Sequence, residues 1–320
     1  MKLNNKKTLT LLVLIVGIVF LYQAIFTMSW TAGPNYENVT VDTRVNITDA
    51  PPTILYVTID ENQNGVSTIT LAAGTTRVVS CNATIRDWNG FDDIFSTNGT
   101  LWDNTNTNME GVLDNNTLYR NSSCSKIGDD GNYISYWQCS FDVYYYANNG
   151  SDWRCNMTAV DNSNYKASNY NITEFSALYA LNITADGTNP QQIDYGNVAV
   201  ETYSVNRTVN ITNFGNLGIN VSVWGFAFEA NDGLAFNCTI NSNITIGNER
   251  YTINSSQNWN DKVNLTPTSQ QIGNLTVTKQ TVPGTYVTNQ TYWEIYVPVE
   301  GGEAPAGECT GSVVFEASSS

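Results

Sequence analysis

The chain of 320 residues contains no histidine. That removes the usual general base near neutral pH and the commonest zinc ligand. It also rules out hydrolysis by Ser-His-Asp or Cys-His chemistry. Charge is scarce as well: 13% of residues are charged, about half the ordinary share. The polar exterior therefore has to come from 43 Asn, 38 Thr and 23 Ser. Positive charge is scarcest, with 14 Lys and Arg against 29 Asp and Glu and a net charge of −15. Lys2, Lys6 and Lys7 all precede an apolar segment, so the body beyond it is more acidic still. Such a body repels nucleic acid and anionic lipid, and nucleic-acid binding is set aside. No CxxC pair occurs, which weakens zinc-ribbon and thiol-redox readings. Beyond residue 28 there is no long hydrophobic run and no sustained helical spacing.

The one long apolar run is Leu9 to Met28, twenty residues without a charge. A helix of that length rises about 30 Å, the thickness of the hydrocarbon layer. The preceding lysines predict a cytoplasmic N-terminus and an exported body, hence a single-pass cell-membrane protein held through Leu9 to Met28. The competing reading is a cleaved signal peptide centred on Leu9 to Leu21. Its best cleavage site, Thr27-Met28-Ser29, is flanked by bulky Phe26 and Trp30.

Six cysteines, Cys81, Cys124, Cys139, Cys155, Cys238 and Cys309, all lie beyond that segment. An even number without CxxC predicts disulfides in an oxidising compartment. Asn-x-Ser/Thr sequons number 19, more than chance placement gives. Glycosylation candidates in the N-terminal half are Asn38, Asn46, Asn82, Asn98, Asn115, Asn121, Asn149, Asn156 and Asn171. Those in the C-terminal half are Asn206, Asn220, Asn243, Asn254, Asn264, Asn274 and Asn289. The plainer account is that Asn and Thr share turns and strand edges in a polar β protein.

After residue 50 the apolar residues alternate with period two, as in Ile54 to Ile59, Thr76 to Ile85, Tyr203 to Ile211 and Tyr292 to Val299. Short alternating segments broken by Asn-Gly and Asp-Gly turns predict an all-β fold of two tandem β-sandwiches. Residues 1–28 form the cytoplasmic tip and anchor or signal segment, and 29–50 a polar stalk ended by Pro51-Pro52. The first sandwich spans 51–186 and the second 187–320, with a boundary at Asp186-Gly187-Thr188-Asn189-Pro190. Cys238 and Cys309 are the only cysteines of the second half and are expected to pair.

Several segments invite chemistry. Asp87, Asp92 and Asp93 flank Trp88-Asn89-Gly90 and offer oxygen ligands to Ca²⁺, against the plainer reading of a solvated loop whose acids cap turns. Asp129-Asp130-Gly131 is a weaker instance of the same pattern. Asp60-Glu61-Asn62-Gln63-Asn64-Gly65 begins a calcium-loop pattern, but its twelfth position is Leu71, and a hairpin turn on Asn64-Gly65 accounts for it better. No two carboxylates stand out as a glycosidase pair. Tyr144-Tyr145-Tyr146, Trp102, Trp137 and Trp153 are candidates for sugar stacking or for core, and alternation predicts that at least one of the three tyrosines is exposed.

Asp152-Trp153-Arg154-Cys155 with Ala159-Val160-Asp161 resembles the penultimate strand of immunoglobulin-like domains, with Trp153 in the place of the usual tyrosine. The resemblance implies a bridge Cys81–Cys155 between sheets, leaving Cys124–Cys139 to close a short loop. The run from Tyr195-Gly196-Asn197-Val198 through Val209 to Val223, Trp293 to Val299 and Cys309 to Ala317 resembles Ig-like domains of archaeal surface proteins. It also resembles the sandwiches of TasA- and camelysin-type matrix proteins, and Cys81 to Ile94 resembles an archaeal extracellular Ig-like repeat. The resemblance implies a non-catalytic surface protein for adhesion or envelope architecture, without cofactor, meeting surface proteins or glycans. Two further readings are a filament subunit assembling by donation of Val39 to Thr48, and a carbohydrate-binding module working through Trp102 or Tyr145.

Overall fold

Period-two alternation turns one face of each segment toward apolar neighbours and the other toward water, and the chain satisfies it with strands. The computed structural model describes residues 40–60, 68–187, 189–299 and 302–320. The chain divides into two units, Met1–Thr48 and Asp49–Ser320. In the first, residues 40–48 carry no regular secondary structure and are exposed. Asp49 and Ala50, expected at the end of the stalk, group with the second unit. Leu9 to Met28 and Asn38 lie outside the described residues. The single-pass membrane location needs correction: among the described residues no helix is long and apolar enough to cross a membrane. The helical turns described there are two three-residue 3-10 segments, Ile246–Asn248 and Trp259–Asp261.

The second unit is all-β. Its first ten strands are β1 Thr53–Ile59, β2 Thr68–Ile69, β3 Thr76–Arg86, β4 Ile94–Asp103, β5 Leu118–Asn121, β6 Ser125–Asp129, β7 Ile134–Tyr144, β8 Gly150–Asp161, β9 Lys166–Phe175 and β10 Leu181–Ala185. The next ten are β11 Arg207–Asn213, β12 Ile219–Phe226, β13 Leu234–Ile240, β14 Ile244–Thr245, β15 Glu249–Thr252, β16 Val263–Asn264, β17 Gln270–Val277, β18 Thr288–Ile295, β19 Ala306–Thr310 and β20 Ser312–Ser319. In the N-terminal half, a four-stranded sheet β1-β3-β7-β6 and a five-stranded sheet β2-β9-β8-β4-β5 share one core. The C-terminal half builds a second core from three sheets, β10-β11-β18-β15-β16, β17-β12-β20 and β14-β13-β19.

The first core is covalently crossed. Inward residues Val79, Cys81, Ala83 and Ile85 of β3 face Trp153, Cys155, Met157 and Ala159 of β8, all buried. Cys81–Cys155 joins these strands and so joins the two sheets. Cys124–Cys139 lies beside it, since Cys139 on β7 stands opposite Cys81. Gly99 on β4 is obligatory for this packing, because a Cβ there would stand 2.6 Å from the Cys139 sulfur. Cys238–Cys309 ties β13 to β19.

The two cores meet through a turn at Asn213 to Asn216. Phe214 packs edge-on to Tyr145 at 5.6 Å. The Asn216 amide donates to the Ser176 carbonyl at 2.9 Å, while its Oδ1 accepts the Leu178 N–H at 2.7 Å. Gly215 has no room for a side chain, since its Cβ would lie 2.0 Å from the Leu178 carbonyl oxygen. Lys279 Nζ donates across the junction to the Tyr146 carbonyl at 3.0 Å and to Asn148.

Glu249 on β15 is buried and accepts the Tyr195 hydroxyl proton at 2.7 Å. Burial pushes its carboxyl up to about 7, against the opposing hydrogen bond from Tyr195. A carboxyl raised in the folded state adds stability that is complete below its unfolded pKa of about 4.5 and lost as pH rises through about 7. Urea unfolding at pH 5 and pH 8 should therefore show a loss with rising pH that Glu249→Gln reduces by about 1–3 kcal/mol. Identical pH profiles for the two proteins would contradict this.

Candidate metal centre

Two strands deliver acids where their own alternation predicts apolar side chains. The inward row of β3 runs through Cys81, Ala83 and Ile85 and continues into Asp87. That of β8 runs through Cys155, Met157 and Ala159 and ends on Asp161. Asp87 is 0% and Asp161 1% exposed. Each acid lies six residues beyond its bridged cysteine, about 20 Å along a strand. The bridge holds the rows in phase, so both carboxyls arrive at one end of the two sheets.

Asp93 joins them from the loop between β3 and β4, and Asp49 from the chain just before β1. One carboxylate oxygen from each of Asp49, Asp93 and Asp161 lies within 4.8 Å of the other two. Carboxylate oxygens at this end also fasten the loops. Asp87 Oδ1 accepts the Asn89 N–H at 2.9 Å. Asp161 Oδ1 accepts the N–H groups of Ser163 at 2.9 Å and Tyr165 at 2.8 Å. Asp93 Oδ1 accepts the Asn162 side-chain amide at 2.9 Å, and the Asn162 N–H donates to the Asp93 carbonyl at 2.9 Å. The Ala50 N–H donates to Asn89 Oδ1 at 2.8 Å, which brings the start of the unit onto the same loop.

The Oδ2 atoms of Asp87, Asp93 and Asp161 are buried and have no hydrogen-bond partner among the described residues. No Lys or Arg forms an ion pair with any of these acids among the described residues. Asp87 is pushed above the usual carboxylate range, first by burial and then by the charges of Asp93, Asp161 and Asp49, against the Asn89 N–H. Unpaired buried carboxylates carry a large desolvation cost. The donors are all oxygen, which suits a hard cation rather than zinc or copper.

Of the acids singled out in the sequence, Asp87 and Asp93 enter the cluster. Asp92 is exposed and lines a shallow depression of about 350 Å³ beside it. Asp49 and Asp161 were missed, although Asp161 announces itself as an acid at an inward position of β8. Asp60 pairs with Arg77 at 3.0 Å, and residues 61–67 of that loop lie outside the described residues. Asp129 and Asp130 cap their own turn by accepting the N–H groups of Gly131 and Asn132 at 3.0 and 2.8 Å.

The sugar-stacking candidates require correction. Trp102, Trp137, Trp153, Tyr145 and Tyr146 are buried, and Tyr144 is half-buried. Alternation does not apply beyond Tyr144, where β7 ends, and the second core covers Tyr145 through Phe214. Among the sequons, Asn46, Asn98, Asn149, Asn206, Asn254, Asn264 and Asn274 are exposed, whereas Asn82, Asn115, Asn121, Asn171, Asn220, Asn243 and Asn289 are half-buried. Asn156 is buried and donates its amide to Thr158 at 3.1 Å.

No family model and no curated protein matches the chain. Among solved structures, the C-terminal domain of the Streptococcus pyogenes antigen I/II-family protein AspA aligns at 11% identity and a TM-score of 0.24, covering 83% of this chain and 95% of that one. A structure named BspA_C_WT aligns at 8% identity and a TM-score of 0.23, covering 83% and 96%. The secreted serine protease VesC from Vibrio cholerae aligns at 9% identity and a TM-score of 0.19, covering 82% and 51%. Likenesses this weak carry no argument about function. None of the three supports the archaeal or TasA- and camelysin-type resemblance.

Asp161→Ala deprives two N–H groups of their acceptor and should cost about 1–3 kcal/mol. Asp161→Asn removes the same charge but keeps an oxygen in place, so it should cost less. Urea unfolding in chelator separates the two, and equal losses would refute the loop role.

Proposed function

We propose that the chain is a non-catalytic surface protein, two tandem Ig-like β-sandwiches whose work is adhesion or envelope architecture. The observation that carries this reading is the pairing of all six cysteines, which belongs to an oxidising compartment outside the cytosol. The Ig-like assignment draws support from Cys81–Cys155, which crosses between sheets beside buried Trp153. The indole N–H of Trp153 donates to the Asn148 carbonyl at 3.0 Å. That bond runs back to an upstream carbonyl, as the hydroxyl bond of a tyrosine corner does. A sequence without histidine supports the non-catalytic part. Glycans on the exposed sequons would complete an uncharged polar exterior.

A second reading, strand donation into a neighbouring copy, is favoured by one observation. Val41, Val45 and Ile47, at alternating positions of a segment without a strand, are 75%, 78% and 89% exposed. A row of apolar side chains on one face is what a donated strand presents to an acceptor sheet.

Labelling of intact cells with an impermeant biotin reagent, followed by mass spectrometry, tests the first reading. Surface labelling, thiols that alkylate only after reduction, and glycan on exposed sequons but not on Asn156 are expected. Free thiols in unlabelled native material would defeat it. Light scattering of the chain with and without residues 39–48 tests the second. Ordered assembly lost on deletion would support donation, and a monomer in both cases would exclude it.

A further inference from the structure

We propose that Asp49, Asp93 and Asp161 bind a calcium ion that closes the end of the first two sheets. Three buried carboxylate oxygens are without a partner among the described residues. Each of Asp87, Asp93 and Asp161 commits Oδ1 to holding a loop and leaves a buried Oδ2 without a partner. Asp161 is 1% exposed, and its carboxylate is aimed at those of Asp93 and Asp49. A buried anionic oxygen of this kind is costly unless a cation meets it. The nearest basic side chain in the sequence, Arg86, lies with its guanidinium over the Trp88 ring at 4.7 Å and forms no ion pair with the cluster.

The spacing suits the ion. Ca²⁺ takes oxygen ligands at about 2.3–2.6 Å, so two ligands on opposite sides of it stand about 4.8 Å apart. The three carboxylate oxygens lie within 4.8 Å of one another. Calcium tolerates six to eight ligands in irregular geometry, whereas Mg²⁺ demands a tight octahedron. Three carboxylates from three separate segments, open to solvent on one side, fit the former. Water and the polar groups of the adjoining depression, Asn89 and Asn162 among its lining, would complete the shell.

The site joins the approach to β1, the β3–β4 loop and the β8–β9 loop, which belong to different sheets. A cation there does at the rim what Cys81–Cys155 does in the middle. It would also fix the loop that displays Trp88, which is 59% exposed and packs against Tyr133 at 5.3 Å. The inference stands apart from the display reading, since it requires only the carboxylate geometry.

The test uses the full chain, freed of metal by chelation and titrated calorimetrically with CaCl₂ and separately with MgCl₂. Thermal unfolding is followed in parallel. The expected result is saturable binding of one Ca²⁺, with a dissociation constant of about 10⁻⁴–10⁻³ M as in extracellular modules, and a thermal midpoint raised by several degrees. Asp93→Asn and Asp49→Asn should each weaken binding about tenfold or more, while Asp142→Asn, an exposed acid on β7, leaves it unchanged. Asp49→Asn serves alone if Asp93→Asn fails to fold. Absence of both heat and midpoint shift with CaCl₂ would overturn the proposal. Binding unchanged in both variants would overturn it as well, and equal affinity for Mg²⁺ would overturn the calcium assignment.

Discussion

The Cys81–Cys155 bridge fixes one strand of each sheet against the other, and the rest of the N-terminal half is arranged about that contact. Two inward rows, one on β3 and one on β8, are locked in phase by a covalent bond at matching positions. With the rows in phase, whatever stands six residues further along each strand must meet at the same end. In this chain those residues are Asp87 and Asp161, so a constraint made in the middle of an apolar core brings negative charges together at its rim. Removing carboxylates from water costs several kcal/mol per ion in effective terms, and the chain accepts that cost at the far end of rows held by a bond that cannot slip.

Two buried ionisable groups of the C-terminal half have partners within the protein. Glu249 accepts from a neutral side-chain donor, Tyr195, and burial raises its pKa against that bond. Lys262, whose side chain is wholly buried, has an anionic partner in Glu294 at 2.7 Å. These groups are satisfied within the protein, whereas the Oδ2 atoms of Asp87, Asp93 and Asp161 are not. At the acidic rim, buried oxygens of three different carboxylates lie without a partner among the described residues. The junction between the cores combines close approach with a buried cation: Gly74 and Gly215 leave space for the Phe214 ring and the Leu178 carbonyl, and Lys279 donates across it to the Tyr146 carbonyl.

Alternation made much of the fold legible. The strands expected around Cys81 and Cys155 are β3 and β8, because each carries a long period-two pattern whose buried face is largely apolar. Legibility failed where neighbours rather than pattern decide. The strand expected from Tyr203 starts only at Arg207, and Tyr203 makes an isolated bridge to Tyr296. Tyr145 is buried because the second core covers it, which no local pattern announces. Asn213-Phe214-Gly215-Asn216 reads as a turn, but its role as the junction depends on a surface remote in sequence. Half of the acidic cluster was visible as Asp87 and Asp93 within one loop. Asp49 and Asp161 come from segments whose proximity follows only once β3 and β8 are bridged. The signal for Asp161 was present nonetheless, as an acid continuing an apolar row at the inward parity of its strand.

The central claim is that two in-phase inward rows bring acids from separate segments around one point, and diffraction tests it most directly. Crystals of the full chain grown with calcium, or soaked with terbium for its anomalous signal, should show one cation between the carboxylates of Asp49, Asp93 and Asp161, at about 2.3–2.6 Å from their oxygens. Carboxylates turned away from one another, or a lysine or arginine side chain lying among them, would contradict the account.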